Sequence, residues 1–496
     1  FLKTTDMKKY NFAIIGVTLL LSLSACNDWL DIDPSDQVSS EKLFESGDGF
    51  RNALNGIYIA MSSSELYGRE LSWGLTSVLS QTYADNDIAK SKAYGSAMEY
   101  EYGETEIKAV LESVWSKGYN VIANCNKLIS EAEAKDSTAF REGALERNLI
   151  IGEAKALRAM MHFDILRLFA PSVESGDESK RIPYFTVYPS KYEPNLSTKE
   201  ILKKVEEDLL EARQLVAKHD TIVNTSTMAM PDYRMGGTNK ATGGDFFGQR
   251  GIRMNYVAIN ALLARVYLYD NDWNNAAKYA KHVIDDFVTR RKWLYFTDPY
   301  DYAKATDKYK YVKLYEDTFL AFYDRELLER IDNFKSANNS LLMTLKNYDA
   351  LFELDADDYR TSLATSDGKT GKTSMKWINT NSTNQSVTIQ YKLIPMIRLS
   401  EMYYILSEAS SKTSLSEALS YLSVVRKARG AKRDISGTAS KDYYNELVAE
   451  YKKEFLAEGQ MFYFFKRWNM PVTTGTQVIQ MDGRYVMPIP ESEIIY

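Results

Sequence analysis

Cysteine is nearly missing from this chain: Cys26 and Cys125 are the full set in 496 residues. No disulfide framework can hold the fold, so stability has to come from packing. Histidine is almost as scarce, with only His162, His219 and His282. None lies within metal-ligand spacing of another, which argues against a histidine zinc site and a His-dependent nucleophile triad. Basic tracts are absent and the formal net charge is −6, a poor match for nucleic acid. The glycine-rich run MGGTNKATGGDFFGQRG lacks the Gly-Lys-Ser/Thr ending of a phosphate loop and follows no apolar strand, so it reads as a mobile loop. No EF-hand pattern occurs; a structural calcium ion would have only the Asp and Asn clusters, and no cofactor is expected.

Long apolar runs are also lacking, with one informative exception near the start. In MKKYNFAIIGVTLLLSLSACNDW, Lys8 and Lys9 precede an apolar stretch of about 12 residues. That fits the roughly 7–15 of a secretory core and falls short of the about 20 needed to span a bilayer. Leu23-Ser24-Ala25 before Cys26 has the form of a bacterial lipobox, which makes Cys26 the lipidated first residue of the mature chain. Residues 1–25 therefore read as a signal peptide, with translation starting at Met7 and the six residues before it a remnant. Loss of this segment removes Lys3, Lys8, Lys9 and Asp6 and takes the formal charge from −6 to about −8. Residues 26–39, with Asp28, Asp31, Asp33 and Asp36, form a polar tether. Membrane attachment must then come through lipid, firmly only if the cysteine carries several acyl chains.

Beyond the tether, helical periodicity dominates, and the expected fold is mainly α. Phe50, Leu54 and Ile57 share one side of a first helix, and residues 107–134 and 146–169 follow, the latter stopped by Pro171. Ser197 with Glu200 makes a capping box and Leu196 with Ile201 a hydrophobic staple, opening a helix to about Val216. Residues 253–287 read as two helices meeting at Asp270-Asn271-Asp272, with Ala261, Ala264, Trp273, Ala276, Tyr279 and Ala280 interlocking. Residues 397–428 read as another pair, with Ser414 and Glu417 as its capping box. Both resemble tetratricopeptide helix pairs, whose repeat is about 34 residues, and the earlier helices bring the scaffold to about four pairs. Cys125 is then a small core residue on a helix.

Three stretches break this scaffold: residues 62–105, 220–252 and 290–392. The first and third mix aromatics with polar groups, and long irregular segments are where binding groups tend to lie. Sugar rings offer apolar C–H faces and a hydroxyl rim, so a glycan site calls for exposed aromatic platforms beside placed polar groups. The candidate platforms are Trp73, Tyr94 and Tyr102 in the first stretch and Trp293, Tyr302 and Trp377 in the third, with Asp85 and Asn86 as hydroxyl partners. Asp85 with Asp87, or Asp355 with Asp357 and Asp358, could be paired as hydrolase acids, but adjacency in sequence does not place two acids across a cleft. No catalytic residue is assigned. Glu401 and Glu408, with Arg398 nearby, are expected to hold a helix interface through ion pairs.

In their order, several segments resemble the SusD/RagB family of outer-membrane nutrient-binding lipoproteins. They are the lipobox with WLDIDPSDQ, GEAKALRAMMHFDILRLF, NYVAINALLARVYLYDNDWNNAAKYAKHVI, EDTFLAFYD, RLSEMYYILSEA, KKEFLAEGQMFYFFKRW and VMPIPESEI. Where many members carry Arg and Asp after Glu458-Gly459, this chain has Met461 and Phe464, a departure that touches ligand class more than fold. The resemblance implies a single domain over residues 40–496, with tetratricopeptide-like pairs beside a loop-rich lobe that carries the ligand site. It implies a lipid-anchored receptor of the outer membrane, facing the cell exterior, that passes a glycan to a TonB-dependent barrel of the SusC type. Capture of peptides or glycoproteins is the alternative; a protein-binding tetratricopeptide scaffold and a glycosidase are more remote ones.

Overall fold

Helix pairs stacked in chain order form the scaffold of the structure, a computed structural model that describes residues 40–236, 241–306, 309–369, 371–474 and 477–493. Cys26, the export segment and the tether lie outside the described residues. Helix α1 (Gly47–Met61) packs on α2 (Thr105–Ala134), α3 (Gly143–Phe169) on α4 (Thr198–Lys218), α5 (Tyr256–Tyr269) on α6 (Trp273–Val283), and α7 (Leu399–Ser411) on α8 (Leu415–Ala428). Neighbouring pairs join through α2 with α3, α4 with α5, and α6 with α7. Two further helices, α9 (Ser440–Glu454) and α10 (Gln460–Arg467), close the C-terminal end.

The local causes are those that the periodicity and caps indicate. Phe50, Leu54 and Ile57 form the buried face of α1. The capping box of α4 is complete: Ser197 N–H donates to Glu200 Oε2 at 2.8 Å, and Glu200 N–H donates to Ser197 Oγ at 3.4 Å. Between α5 and α6, Asn271 takes a left-handed φ of 62° and Asp272 caps α6 by accepting from Asn275 N–H. Ala261, Ala264, Ala276 and Ala280 are all buried, which lets these helices approach closely. Helix α3 is buried on every side along its second half, the mark of a central helix. Cys125 is a buried thiol on α2 whose pKa burial raises to about 12. Among the described residues, no helix is long and apolar enough to cross a membrane.

Two of the breaks differ from their sequence reading. Residues 66–83 are an almost wholly buried coil of turns around the short helix Leu75–Leu79, not an irregular surface. Ser72, Thr76, Ser77 and Ser80 turn their hydroxyls onto carbonyls of the same stretch, so the Ser-rich composition satisfies backbone inside the fold. The described end of the glycine-rich run is anchored, not loose: Arg250 is fully buried and pairs with Glu153 and Asp220. The third break carries β1 (Thr318–Tyr323), which pairs antiparallel with β4 (Leu393–Arg398), and a hairpin of β2 (Ala364–Ser366) and β3 (Lys372–Ser374).

An ionic knot ties that third stretch to the last helices. Glu454 accepts from Arg360 at 3.1 Å, Arg398 at 2.9 Å and Arg429 at 2.7 Å. Glu450 pairs with Arg360 and Arg426, while Asp355 takes Arg426 and Lys453. Asp317 holds Arg429, and Asp358 holds Arg360. Burial alone would raise the Glu454 carboxyl, but the guanidiniums of Arg429 and Arg398 outweigh it and hold it well below the usual range. Glu401 and Glu408 are interface ions too, though their partners lie across the helices: Arg265 for Glu401, Arg467 for Glu408.

Candidate functional site

A groove forms where the first and third stretches meet. Residues 82–84 run beside residues 344–346: Ala84 N–H donates to Thr344 O at 2.8 Å and Lys346 N–H to Thr82 O at 2.9 Å. On the far side, Leu345 N–H donates to the carbonyl of Lys372 in β3 at 2.7 Å. A strip from the third stretch is thus clasped between residues of the first and a hairpin, and the side chains leaving this seam line two depressions. One, of about 520 Å³, is lined by Asn347, Tyr348, Asp349, Ser366, Lys369 and Lys372. Its neighbour, of about 100 Å³, shares Asn347 and Ala350 and adds Gln81, Thr82, Lys346, Lys452, Met461 and Thr474.

Polar groups on this seam come in opposed pairs. Lys346 Nζ donates to Asp85 at 2.6 Å and Lys372 Nζ to Asp349 at 2.5 Å. Asn347, exposed and at φ 53°, donates its amide to Thr474 O at 2.7 Å and so draws the C-terminal segment into the wall. Thr344 Oγ1 bridges to Asp367 at 2.8 Å, steadying the hairpin against the strip. Burial lowers the Lys452 ammonium to about 8, and its Nζ rests on the carbonyl of Thr473. The groove therefore offers donors and acceptors side by side with small net charge, chemistry suited to a polyhydroxylated ligand.

Of the residues singled out in the sequence, Asp85 and Asn86 stand exposed on this seam, Asp85 paired with Lys346. The six aromatic candidates do not form exposed platforms; each is buried. Trp73 donates its indole N–H to Gly68 O at 2.9 Å and meets Phe334 edge-on. Tyr94 donates to Glu70, Tyr102 to Arg484 O, and Trp377 to Ala457 O. Trp293 packs on Phe287 beneath the Arg291 guanidinium, and Tyr302 lies against Tyr359 and Arg429. Large rings carry so much apolar area that burial wins even where the polar tip goes unbonded, as the Tyr302 hydroxyl does among the described residues. Exposed tyrosines of the third stretch are instead Tyr295, Tyr300, Tyr309 and Tyr323.

Sequence reading missed Lys346, Asn347 and Lys372. The left-handed φ of Asn347 is the kind of position where asparagine is enriched, and it was the one available signal. Neither proposed acid pair faces an open cleft as a free pair: Asp355 and Asp358 are locked in the knot, and Asp87 accepts from Thr344 N–H and pairs with Lys90. A larger cleft of about 860 Å³ lies along α8, lined by Ser416, Ser420, Ser423, Tyr359, Lys427 and Lys432. It is a feature of the scaffold and includes none of the candidates.

Comparison with known proteins agrees with this architecture. Residues 28–229 match a family described as starch-binding associating with outer membrane, and residues 231–487 match the SusD family. Two curated relatives from Formosa agariphila, SusD-like protein P2 and SusD-like protein P25, are 28% and 22% identical over 164 and 159 residues, 33% and 32% of this chain. The aligned parts span 30% and 29% of those relatives, under a third of their length. Among solved structures, a putative sugar binding protein from Bacteroides vulgatus superposes with a TM-score of 0.67 at 20% identity, covering 91% of this chain and 96% of the other. A SusD-like carbohydrate binding protein from the same species gives 0.66 at 16% identity, covering 90% and 96%. These likenesses support the mainly helical fold, and since the match at residues 231–487 alone takes in more than half of the sequence, the chain belongs to the SusD family.

Proposed function

We propose that this chain is a cell-surface glycan-binding lipoprotein. It captures an oligo- or polysaccharide in the groove between its first and third stretches and delivers it to a TonB-dependent outer-membrane barrel of the SusC type. Lipid on Cys26 tethers it to the outer membrane, facing outward. The observation that carries the reading is the groove itself: alternating Lys, Asp and Asn side chains from two distant stretches converge on one open seam. Its supports are family membership and the related fold of a SusD-like carbohydrate binding protein. In this reading Asp85, Asn86, Asn347 and Lys372 contact hydroxyls. Trp73, Tyr94, Tyr102, Trp293, Tyr302 and Trp377 act from beneath, by fixing the segments that carry those groups. Binding is not expected to be followed by bond cleavage.

Titration calorimetry of the described domain against a panel of plant, algal and host glycans, with peptides in parallel, tests the reading. Saturable binding of at least one saccharide, weakened by Asn347→Ala and by Lys372→Ala, is the expected result. Peptide binding with no response to any glycan would replace the ligand class.

A further inference from the structure

A smaller cavity lies within the helical scaffold, between α3, α5, α7, α9 and α10. About 40 Å³ in size, it is lined by Arg167, Arg265, Tyr269, Glu401, Tyr463 and Arg467 among others. That is room for a monatomic ion or a few waters, and too little for a sugar ring. Two phenols reach it: Tyr269 and Tyr463 are each 3% exposed, and neither hydroxyl has a hydrogen-bond partner among the described residues. Buried polar groups left without partners are rare and costly, so two in one cavity call for an occupant. Both phenols are held protonated by burial, so each has a hydrogen to donate.

The surrounding charge decides what kind of occupant. Arg167, Arg265 and Arg467 line the cavity, against one lining carboxylate, Glu401. Each guanidinium spends one edge on an acid: Arg167 on Asp164, Arg265 on Glu401, Arg467 on Glu408. Asp164 and Glu408 do not line the cavity, and they are further occupied by the hydroxyls of Tyr67 and Tyr451. The Nη1 groups of Arg265 and Arg467 make no hydrogen bond among the described residues, and Nη1 of Arg167 has only a 3.5 Å approach to Gln460. Donors therefore converge on the space from five side chains, and the lining acceptors Glu401 and Gln460 already face Arg265 and Arg167. The phenol oxygens could accept from a water, but a water can take only two donors, whereas an anion can take them all.

We propose that this cavity is a binding site for one monatomic anion, chloride under ordinary conditions. The phenol O–H groups of Tyr269 and Tyr463 and the free edges of the three guanidiniums hold it. The site pins α3, α5 and α10 together, because its donors come from all three.

Crystals of the domain grown with bromide in place of chloride supply the decisive measurement. An anomalous peak within about 3.5 Å of the two hydroxyls is expected. Fully ordered water with no anomalous signal there overturns the proposal, whatever else is found. Solution data give an independent readout. With ionic strength held constant by gluconate, the unfolding midpoint should rise about 1–2 °C per tenfold increase in chloride above its dissociation constant. Tyr269→Phe and Tyr463→Phe each keep the ring and remove the donor, so each variant should fold and lose most of that chloride dependence. A midpoint indifferent to chloride in the unaltered protein also counts against the site.

Discussion

The knot at α7–α9 and the groove at residues 82–87, 344–349 and 366–372 are built from the same side-chain types, acids facing lysines or arginines. In the knot, Glu450, Glu454 and Arg429 are fully buried, and Glu450, Glu454 and Asp355 are each shared by two or more cations. In the groove, Asp85 and Asp349 are more than half exposed, and each has one lysine. A buried ion that loses its partners is left in a poor solvent, whereas an exposed one is re-solvated by water. Burial thus separates charge that holds the fold from charge that remains free to exchange its partner for a ligand.

Glu454→Ala strikes the knot at a fully buried carboxylate held by three guanidiniums and should have the largest effect, about 3–5 kcal/mol of stability lost in urea unfolding. Trp73→Ala comes next, at about 3 kcal/mol or more, as expected of a buried indole and not of an exposed platform. A loss of affinity at unchanged stability would instead return Trp73 to the ligand. Lys313 gives a pH test on the buried side. Burial lowers its ammonium to about 7, with one hydrogen bond among the described residues, to Leu393 O. The unfolded chain then binds more protons between about 7 and its ordinary value near 10.4, so this residue makes stability rise with pH across that window. The slope is about 1.4 kcal/mol per pH unit at most, and Lys313→Met should flatten it in unfolding midpoints measured from pH 7 to 10. In the groove, Lys372→Ala should weaken saccharide binding by about tenfold, near 1.4 kcal/mol, in calorimetry. Asp85→Asn should cost less than about 1 kcal/mol of stability, since its pair is half in water. If Asp85→Asn instead destabilises as much as Glu454→Ala, the distinction between the two regions fails.

Much of the helical scaffold was legible because its signals are local. A capping box such as Ser197 with Glu200, or an apolar face such as Phe50, Leu54 and Ile57, needs no knowledge of the rest of the chain. The aromatic candidates failed for the opposite reason. Whether Trp377 faces water depends on Ala457, eighty positions away, offering a carbonyl to its indole. Serines near Trp73 looked like surface composition, yet their hydroxyls donate to carbonyls of the turns they occupy. Asp85 was within reach because it lies beside Asn86 and Asp87 in a visibly polar cluster. Its partner Lys346 was not, since nothing in the neighbourhood of residue 346 marks it as facing residue 85.

Near Gly459 the fold closes on itself: its φ is +78°, its N–H donates to Ser77 Oγ at 3.1 Å, and a Cβ there would lie 2.3 Å from Thr76 Oγ1. Along with Lys452, Met461 and Thr474, this contact sets the rear of the groove from a segment 382 positions along the chain from Ser77. The three walls come from parts of the chain far apart in sequence, so the groove takes shape only when all of them are packed together. The shape of the groove is accordingly a report of long-range closure: a chain cut before residue 452 would be expected to leave it open at the rear.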